Sequence, residues 1–279
     1  MLLRRLFEVG RNPATLNCVS FTGSTIKAIN ATALTCNRCY KQLFGSGGIC
    51  SMGLKLSSRS RVAAKMSSLR EPKVTGAEIA TIGMGCFWGV EALYGATPGV
   101  LRTRVGFTGG DVQNPNYHDL ADHTEGTELE YDPAVITYEG ILDFFWKKHD
   151  PTEKHKCQYK SIIWYHSDDQ KAIAERTLKE AQKRFSKPIV TEIAPAKVFY
   201  NAERYHQKYR LQGHKELMTI LKNAGMDDII TSHVAARLNG YLGGHGSLAQ
   251  FQSEDLGLPD EAKAYVAKVL QKSVTVSCH

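Results

Sequence analysis

All but one of the 28 acidic residues of this chain lie beyond residue 70, and that asymmetry decides which part of it has to build a core. From Met1 to Arg70 there are 11 Lys/Arg and a single acid, Glu8, in a segment rich in Ser, Thr, Asn and Gly. The remainder holds 24 basic and 27 acidic residues, so the net charge of +7 belongs to the leader and the rest is mildly acidic. A surface that bound nucleic acid would itself carry a basic excess, so no nucleic-acid partner is expected. No apolar run approaches the roughly 18 residues of a membrane-spanning helix, and no membrane association is expected either. At 42% hydrophobic and 23% charged residues, the composition excludes collagen, a coiled coil and wholesale disorder. The chain beyond the leader is long enough to bury a core without metal or disulfide staples.

The leader itself is dotted with Arg4, Arg5, Arg11, Arg38, Arg59 and Arg61 and lacks the apolar stretch of a secretory signal. Arg- and Ser-rich, acid-poor composition is that of an organelle transit peptide. A disordered N-terminal tail, or a second start at Met66, is an open alternative. Used for targeting, the leader makes the protein mitochondrial; otherwise it is cytoplasmic or nuclear. Four of seven cysteines (Cys18, Cys36, Cys39, Cys50) fall here, and Cys86, Cys157 and Cys278 lie beyond. The Cys36–Cys39 spacing has no second ligand pair at zinc-site distance. An odd cysteine count without a secretory signal argues against a disulfide framework.

Beyond the leader, Glu78–Gly83 reads as a buried strand, a helix starts near Phe87, and Val100–Phe107 reads as a second strand before a polar loop to His123. Glu125–Tyr131 alternates polar and apolar, as in a sheet with one open face. Tyr138–Lys148 and Asp168–Phe185 have helical spacing, the latter capped by Ser167. Ser161–Tyr165 is a strand, Ile189–Phe199 a strand broken by Pro195, and Glu203–Leu211 a short helix. From Met226 the texture changes: helices at Asp227–Leu238 and Pro259–Lys272 flank a Gly-rich loop, Gly240–Gly246. The expected fold is α+β, a two-layer sandwich with a ferredoxin-like plait core and a C-terminal helical and loop extension. The expected domains are a leader (1–70), a catalytic domain (71–225) and an extension (226–279).

The sharpest local signal is Gly85-Cys86-Phe87-Trp88-Gly89, a cysteine where a buried strand turns into a helix. Free N–H groups and the helix dipole favour a thiolate there, the nucleophilic form. Position alone leaves a small buried core cysteine equally open. Further along the chain come Arg104-Val-Gly-Phe-Thr-Gly-Gly, Asn114-Pro-Asn-Tyr117, His123-Thr-Glu125, His149-Asp-Pro, Gln158-Tyr-Lys-Ser and Ala202-Glu-Arg-Tyr-His-Gln-Lys-Tyr209. With Gly-Cys-Phe-Trp-Gly, these resemble the A-type peptide-methionine sulfoxide reductases over roughly Ile79 to Leu211.

The resemblance implies a role for each matching residue. Cys86 attacks the sulfoxide sulfur and becomes a sulfenic acid; Glu125 protonates the oxygen; Tyr117 and Tyr159 hydrogen-bond it; Phe87 and Trp88 pocket the methyl group. Breaking S=O requires a sulfur nucleophile and a proton for oxygen, so a thiolate beside a carboxyl of raised pKa is the minimum set. Taken alone, Glu125 reads as a solvated strand acid and the tyrosines as ordinary aromatics. Where the family carries a loop with a supporting aspartate, this chain has Glu153-Lys-His-Lys-Cys157. A sulfenic acid is recycled by a second thiol, with Cys278 in the tail the first candidate and Cys157 the alternative. Thioredoxin is the expected reductant, and free methionine sulfoxide and oxidised proteins are the expected substrates. The reaction is expected of a monomer without cofactor or metal; Glu203 and His206, spaced i,i+3, are too few for a metal site. A peroxide-sensing thiol protein and a binder of oxidised methionine without turnover are the alternatives.

Overall fold

The computed structural model describes residues 18–22, 25–29 and 69–276. The chain divides into two units, Met1–Arg61 and Val62–His279. In the first, β1 (Cys18–Thr22) and β2 (Thr25–Ile29) pair antiparallel. In the second, β3 (Glu78–Met84), α1 (Phe87–Gly95), β4 (Val100–Thr108), β5 (Thr124–Tyr131), α2 (Tyr138–Lys148) and β6 (Ser161–Tyr165) succeed one another. Their strands stand side by side in the order β6-β3-β5-β4, each neighbouring pair antiparallel. After α3 (Asp168–Gln182), β7 (Glu192–Pro195) joins parallel to β6, and β8 (Tyr200–Asn201) joins antiparallel to β4, giving six strands.

The period-two alternation of β5 determines which side of the sheet is covered. Leu129 and Tyr131 are fully buried, in one cluster with Ala80, Ile82 and Ile163 of the sheet and Tyr94, Ile141, Phe145 and Ala174 of the three helices. The intervening residues face the other way and form cross-strand ion pairs. Glu130 meets its register partner Arg102 at 3.1 Å and Glu128 meets Arg104 at 2.6 Å. Glu125 has the parity of Leu129, so the acid is carried on the covered face. Helix starts are set by side-chain caps: Thr137 accepts the Gly140 N–H at 3.1 Å and Ser167 that of Gln170 at 3.2 Å.

The C-terminal part holds α4 (Tyr209–Gln212), α5 (Lys215–Asn223), α6 (His233–Leu242), α7 (Leu248–Ser253) and α8 (Asp260–Val276). These helices bury a second apolar cluster that includes Leu211, Leu217, Leu221, Leu238, Phe251 and Val266. The cluster is docked on α1 by backbone-to-backbone approach. A Cβ at Gly95 would stand 2.3 Å from the Ala236 carbonyl oxygen, and one at Gly240 would stand 2.2 Å from the Ala96 nitrogen. Arg237 fastens the same crossing, donating from Nη1 to the carbonyls of Gly95 and Thr97 at 2.8 Å each. Gly240→Ala is therefore expected to lower the thermal midpoint, because overpacking costs about 1–3 kcal/mol and outweighs the roughly 1 kcal/mol that alanine gains inside a helix. An unchanged or raised midpoint in calorimetry would contradict the close crossing.

Several elements differ from the expectation. The helix expected from Asp227 begins at His233, because the Asp228 carboxylate accepts the Ile230 N–H and Thr231 hydroxyl in a local turn. It then runs on through Gly240, Tyr241 and Leu242, so the first part of the Gly-rich stretch is helical. The strand expected over Ile189–Phe199 is confined to Glu192–Pro195. The helix expected over Glu203–Leu211 begins only at Tyr209: Arg204–Lys208 form a turn that ends at Lys208, whose φ of +47° is left-handed. Helices α5 and α7 are additions to the expected elements.

Lys208 has reason to hold that conformation, since its side chain is fully buried. Its Nζ lies 3.0 Å from Glu91 of α1 and donates to the carbonyls of Thr103 on β4 and, at 3.0 Å, Ile230. Its own N–H donates to Glu91 Oε2 at 2.7 Å, while Thr103 Oγ1 donates to Glu91 Oε1 at 3.1 Å. One buried ion pair thus ties the helix that starts at Cys86 to the sheet and to the C-terminal part.

Candidate active site

Cys86 is the N-cap of α1, and Gly85, at φ +81°, makes the sharp exit from β3 that points it outward. The cysteine is exposed. Its sulfur is held by the N–H groups of Trp88 and Gly89 and lies near the Arg210 charge, all of which favour the thiolate. Desolvation by its surroundings is larger, and the Glu125 carboxylate adds to it, so the Cys86 thiol is pushed up from its ordinary value. The helix terminus alone does not produce the thiolate that the position suggests, because desolvation and, after it, the Glu125 charge oppose it.

That neighbour is placed with care. Glu125 is 1% exposed. Its Oε2 accepts the Phe87 N–H at 3.1 Å, and its Oε1 accepts from Gln158 Nε2 at 2.8 Å. Desolvation raises its pKa and outweighs the two donors, which lower it. The reading of Glu125 as a solvated strand acid is corrected: it sits on the apolar face of β5. Tyr159 stands beside both groups and is pushed up to about 12, first by desolvation, then by the Glu125 carboxylate and by Tyr117, whose hydroxyl bonds to it. A tyrosine so shifted stays protonated and can donate to an oxygen.

The apolar wall is more divided than Gly-Cys-Phe-Trp-Gly suggests. Phe87 is 1% exposed and packs with Val105, Phe107 and Ala202, with Trp88 and Tyr117 partly buried against them. Trp88 is the accessible member of the pair. Its indole donates to His206 Nδ1 at 3.0 Å and stacks on Tyr209 at 3.8 Å and 4°. His206 is itself buried between the rings of Phe87, Tyr117 and Tyr205. Tyr117 is fixed by its N–H donating to Glu203 at 3.0 Å. Glu203 and His206 come within 3.8 Å, but across a turn and not on one helical face.

Cys157 opens a single 3₁₀ turn, Cys157–Tyr159, next to the acid. Its thiol donates to the Asp122 carbonyl at 3.3 Å, and its carbonyl accepts from Thr124, the residue before Glu125, at 2.8 Å. Glu153–Lys156 are exposed, and the side chain of this stretch that reaches Glu125 is Gln158. Cys278 lies outside the described residues. Sequence reasoning passed over three neighbours of the site: Gln158 as partner of Glu125, His206 as partner of Trp88, and Arg210 near Cys86. The first two lay inside segments already singled out; Arg210 carried no signal.

The family profile described as peptide methionine sulfoxide reductase matches residues 78–238, and that of a helical domain of selenoprotein methionine sulfoxide reductase A matches 225–261. A peptide methionine sulfoxide reductase of Drosophila melanogaster is 48% identical over 205 residues, covering 72% of this chain and 82% of that protein. An MsrA-type peptide methionine sulfoxide reductase of Methanothermobacter thermautotrophicus is 47% identical over 144 residues, covering 47% and 85%. Among solved structures, reduced Mxr1 from Saccharomyces cerevisiae aligns with a TM-score of 0.47 at 32% identity, covering 52% of this chain and 90% of that one.

Proposed function

The chain belongs to the peptide methionine sulfoxide reductase family, an oxidoreductase family, and on that premise we propose that it reduces the S epimer of methionine sulfoxide, free and in proteins. The observation that carries the reading is the pairing of an exposed N-cap cysteine with a buried carboxyl of raised pKa, held by Phe87 N–H and Gln158. The βαββαβ order of the sheet supports a ferredoxin-like plait as the frame.

The two pKa shifts act together. An ionised Glu125 raises Cys86, and a protonated one does not, so the thiolate forms more readily while Glu125 holds its proton. That state is the one the chemistry uses. The Cys86 thiolate attacks the sulfoxide sulfur while Glu125 gives its proton to the oxygen, which Tyr117 and Tyr159 steady by donating hydrogen bonds. Trp88, with Tyr117, bounds the space for the methyl group. The new sulfur–sulfur bond then breaks as the protonated oxygen moves from the substrate sulfur to Cys86, leaving a sulfenic acid and methionine. A second thiol then forms a disulfide with Cys86 and releases water; Cys278 takes this role, with Cys157 as alternative. A dithiol of the thioredoxin type opens the disulfide and is itself oxidised.

Turnover of the separate S and R epimers, with thioredoxin and with dithiothreitol, tests the reading. Wild type is expected to reduce the S epimer only and Cys86→Ser to reduce neither. Cys278→Ser should give one equivalent of methionine and then stall with thioredoxin, while Cys157→Ser continues. Absence of wild-type turnover with both reductants would sink the reading; a stall in Cys157→Ser instead would move the resolving role there.

A further inference from the structure

Beside the nucleophile lies a cleft of about 480 Å³ that the reduction itself does not use, lined by Tyr205, Tyr209, Arg210, His214 and Leu242 among others. It shares a wall with the proposed methyl pocket, because the Tyr209 ring that lines it is stacked on Trp88. Tyr205 and Tyr209 are 51% and 41% exposed, two of the few large hydrophobic side chains left open to solvent among the described residues. Aromatic rings open on one face and flanked by polar groups are the usual anchors of recognition. The cleft lining contains one guanidinium, that of Arg210, and no carboxylate. Charges of both signs lie past its edge: burial and then the charges of Lys148 and Arg210 hold His245, on the Gly243–Gly246 loop, below its ordinary value, and the Glu203 carboxylate acts on Tyr205. Arg210 is also close enough to Cys86 for its charge to act on the sulfur.

We propose that this cleft is a subsite for the polypeptide flanking a methionine sulfoxide, and that it selects substrates with an Asp or Glu next to the oxidised residue. The inference rests on the reductase reading and adds a substrate preference to it. With the sulfoxide methyl against Trp88, the chain on one side of it leaves across Tyr209, whose ring stacks on the indole. There the rings accept its apolar stems and Arg210 accepts its carboxylate. Free methionine sulfoxide has no such flank and does not reach the cleft.

The test uses end-blocked peptides identical except for Glu or Lys beside the methionine sulfoxide, with kcat/KM measured for both. The readout is the Glu-to-Lys ratio within one variant, so that any effect of Arg210 on the thiol cancels. An exposed charge contact is worth at most a few-fold. Wild type is expected to prefer the Glu peptide by about three- to five-fold at low salt, with the ratio shrinking in high salt. Arg210→Gln should bring the ratio to unity and Arg210→Glu should invert it, with the difference in KM and not in kcat. The same two peptides titrated onto Cys86→Ser, followed by Trp fluorescence, give the ratio as Kd values without turnover. A wild-type ratio of one, or a ratio untouched in Arg210→Glu, would overturn the subsite. Lack of wild-type turnover of free methionine sulfoxide with dithiothreitol would instead count against the reductase reading, while the Kd ratio still decides the subsite.

Discussion

Glu125→Gln is expected to lower kcat/KM for S-methionine sulfoxide by about 10²–10⁴-fold, the usual worth of a positioned general acid, while leaving the fold intact. Glutamine keeps the shape of the carboxyl and an acceptor for the Phe87 N–H, but has no proton to give to the leaving oxygen. The same variant makes a second prediction of opposite sign for the thiol. In the wild type an ionised Glu125 opposes formation of the Cys86 thiolate. Glutamine removes that charge, so the midpoint of Cys86 alkylation by iodoacetamide, measured against pH, should move to lower pH. A better nucleophile would thus accompany a much poorer reductase. Undiminished turnover in Glu125→Gln would remove Glu125 as the proton source; an unmoved alkylation midpoint would mean that its charge is not felt at the sulfur.

The largest stability effect is expected at Lys208. Lys208→Met leaves the Glu91 carboxylate fully buried with its cation gone, and breaking a buried ion pair from one side costs about 3–5 kcal/mol. A fall in the thermal midpoint and in the denaturant midpoint is expected. The Thr103 hydroxyl and the residue-208 N–H still donate to Glu91, which puts the loss nearer the lower end. Adding Glu91→Gln to Lys208→Met should recover part of the stability, because the uncompensated charge is then gone as well. A loss no larger in the single variant than in the double would show that the pair contributes shape and not charge. Because Glu91 lies one turn into α1 and the ion pair fastens that helix to β4 and Ile230, the single variant should also weaken the hold on Cys86.

How far the sequence reaches can be judged residue by residue. The six elements from Glu78 to Tyr165 were legible because each obeys a local rule. Alternation marks β5, helical spacing marks α2, and glycine marks the turn into α1. The same alternation already placed Glu125 on the face of Leu129 and Tyr131, so its burial was written in the period-two pattern even though the residue type argued for solvent. The family motif, carried by neighbours in sequence, was legible for the same reason. By itself the sequence thus singled out the groups of the candidate site: Cys86, Glu125 and the aromatic residues around them.

Tertiary structure decided the state of those groups. Whether Cys86 is a thiolate depends on the balance among two amide donors, desolvation, a carboxylate 39 positions away and an arginine 124 positions away, and no local pattern encodes such a sum. Nothing local marks Lys208 for burial; a partner on α1 and carbonyls on two other segments close around it. Its left-handed backbone, which ends the turn before Tyr209, is held by those contacts and not by propensity. Gly240 reads as a loop residue because glycine disfavours helices; it is helical because α1 crosses at a distance that leaves no room for a Cβ. In each case the deciding interaction joins residues far apart in the chain, and its energy exists only once the fold has removed water from between them.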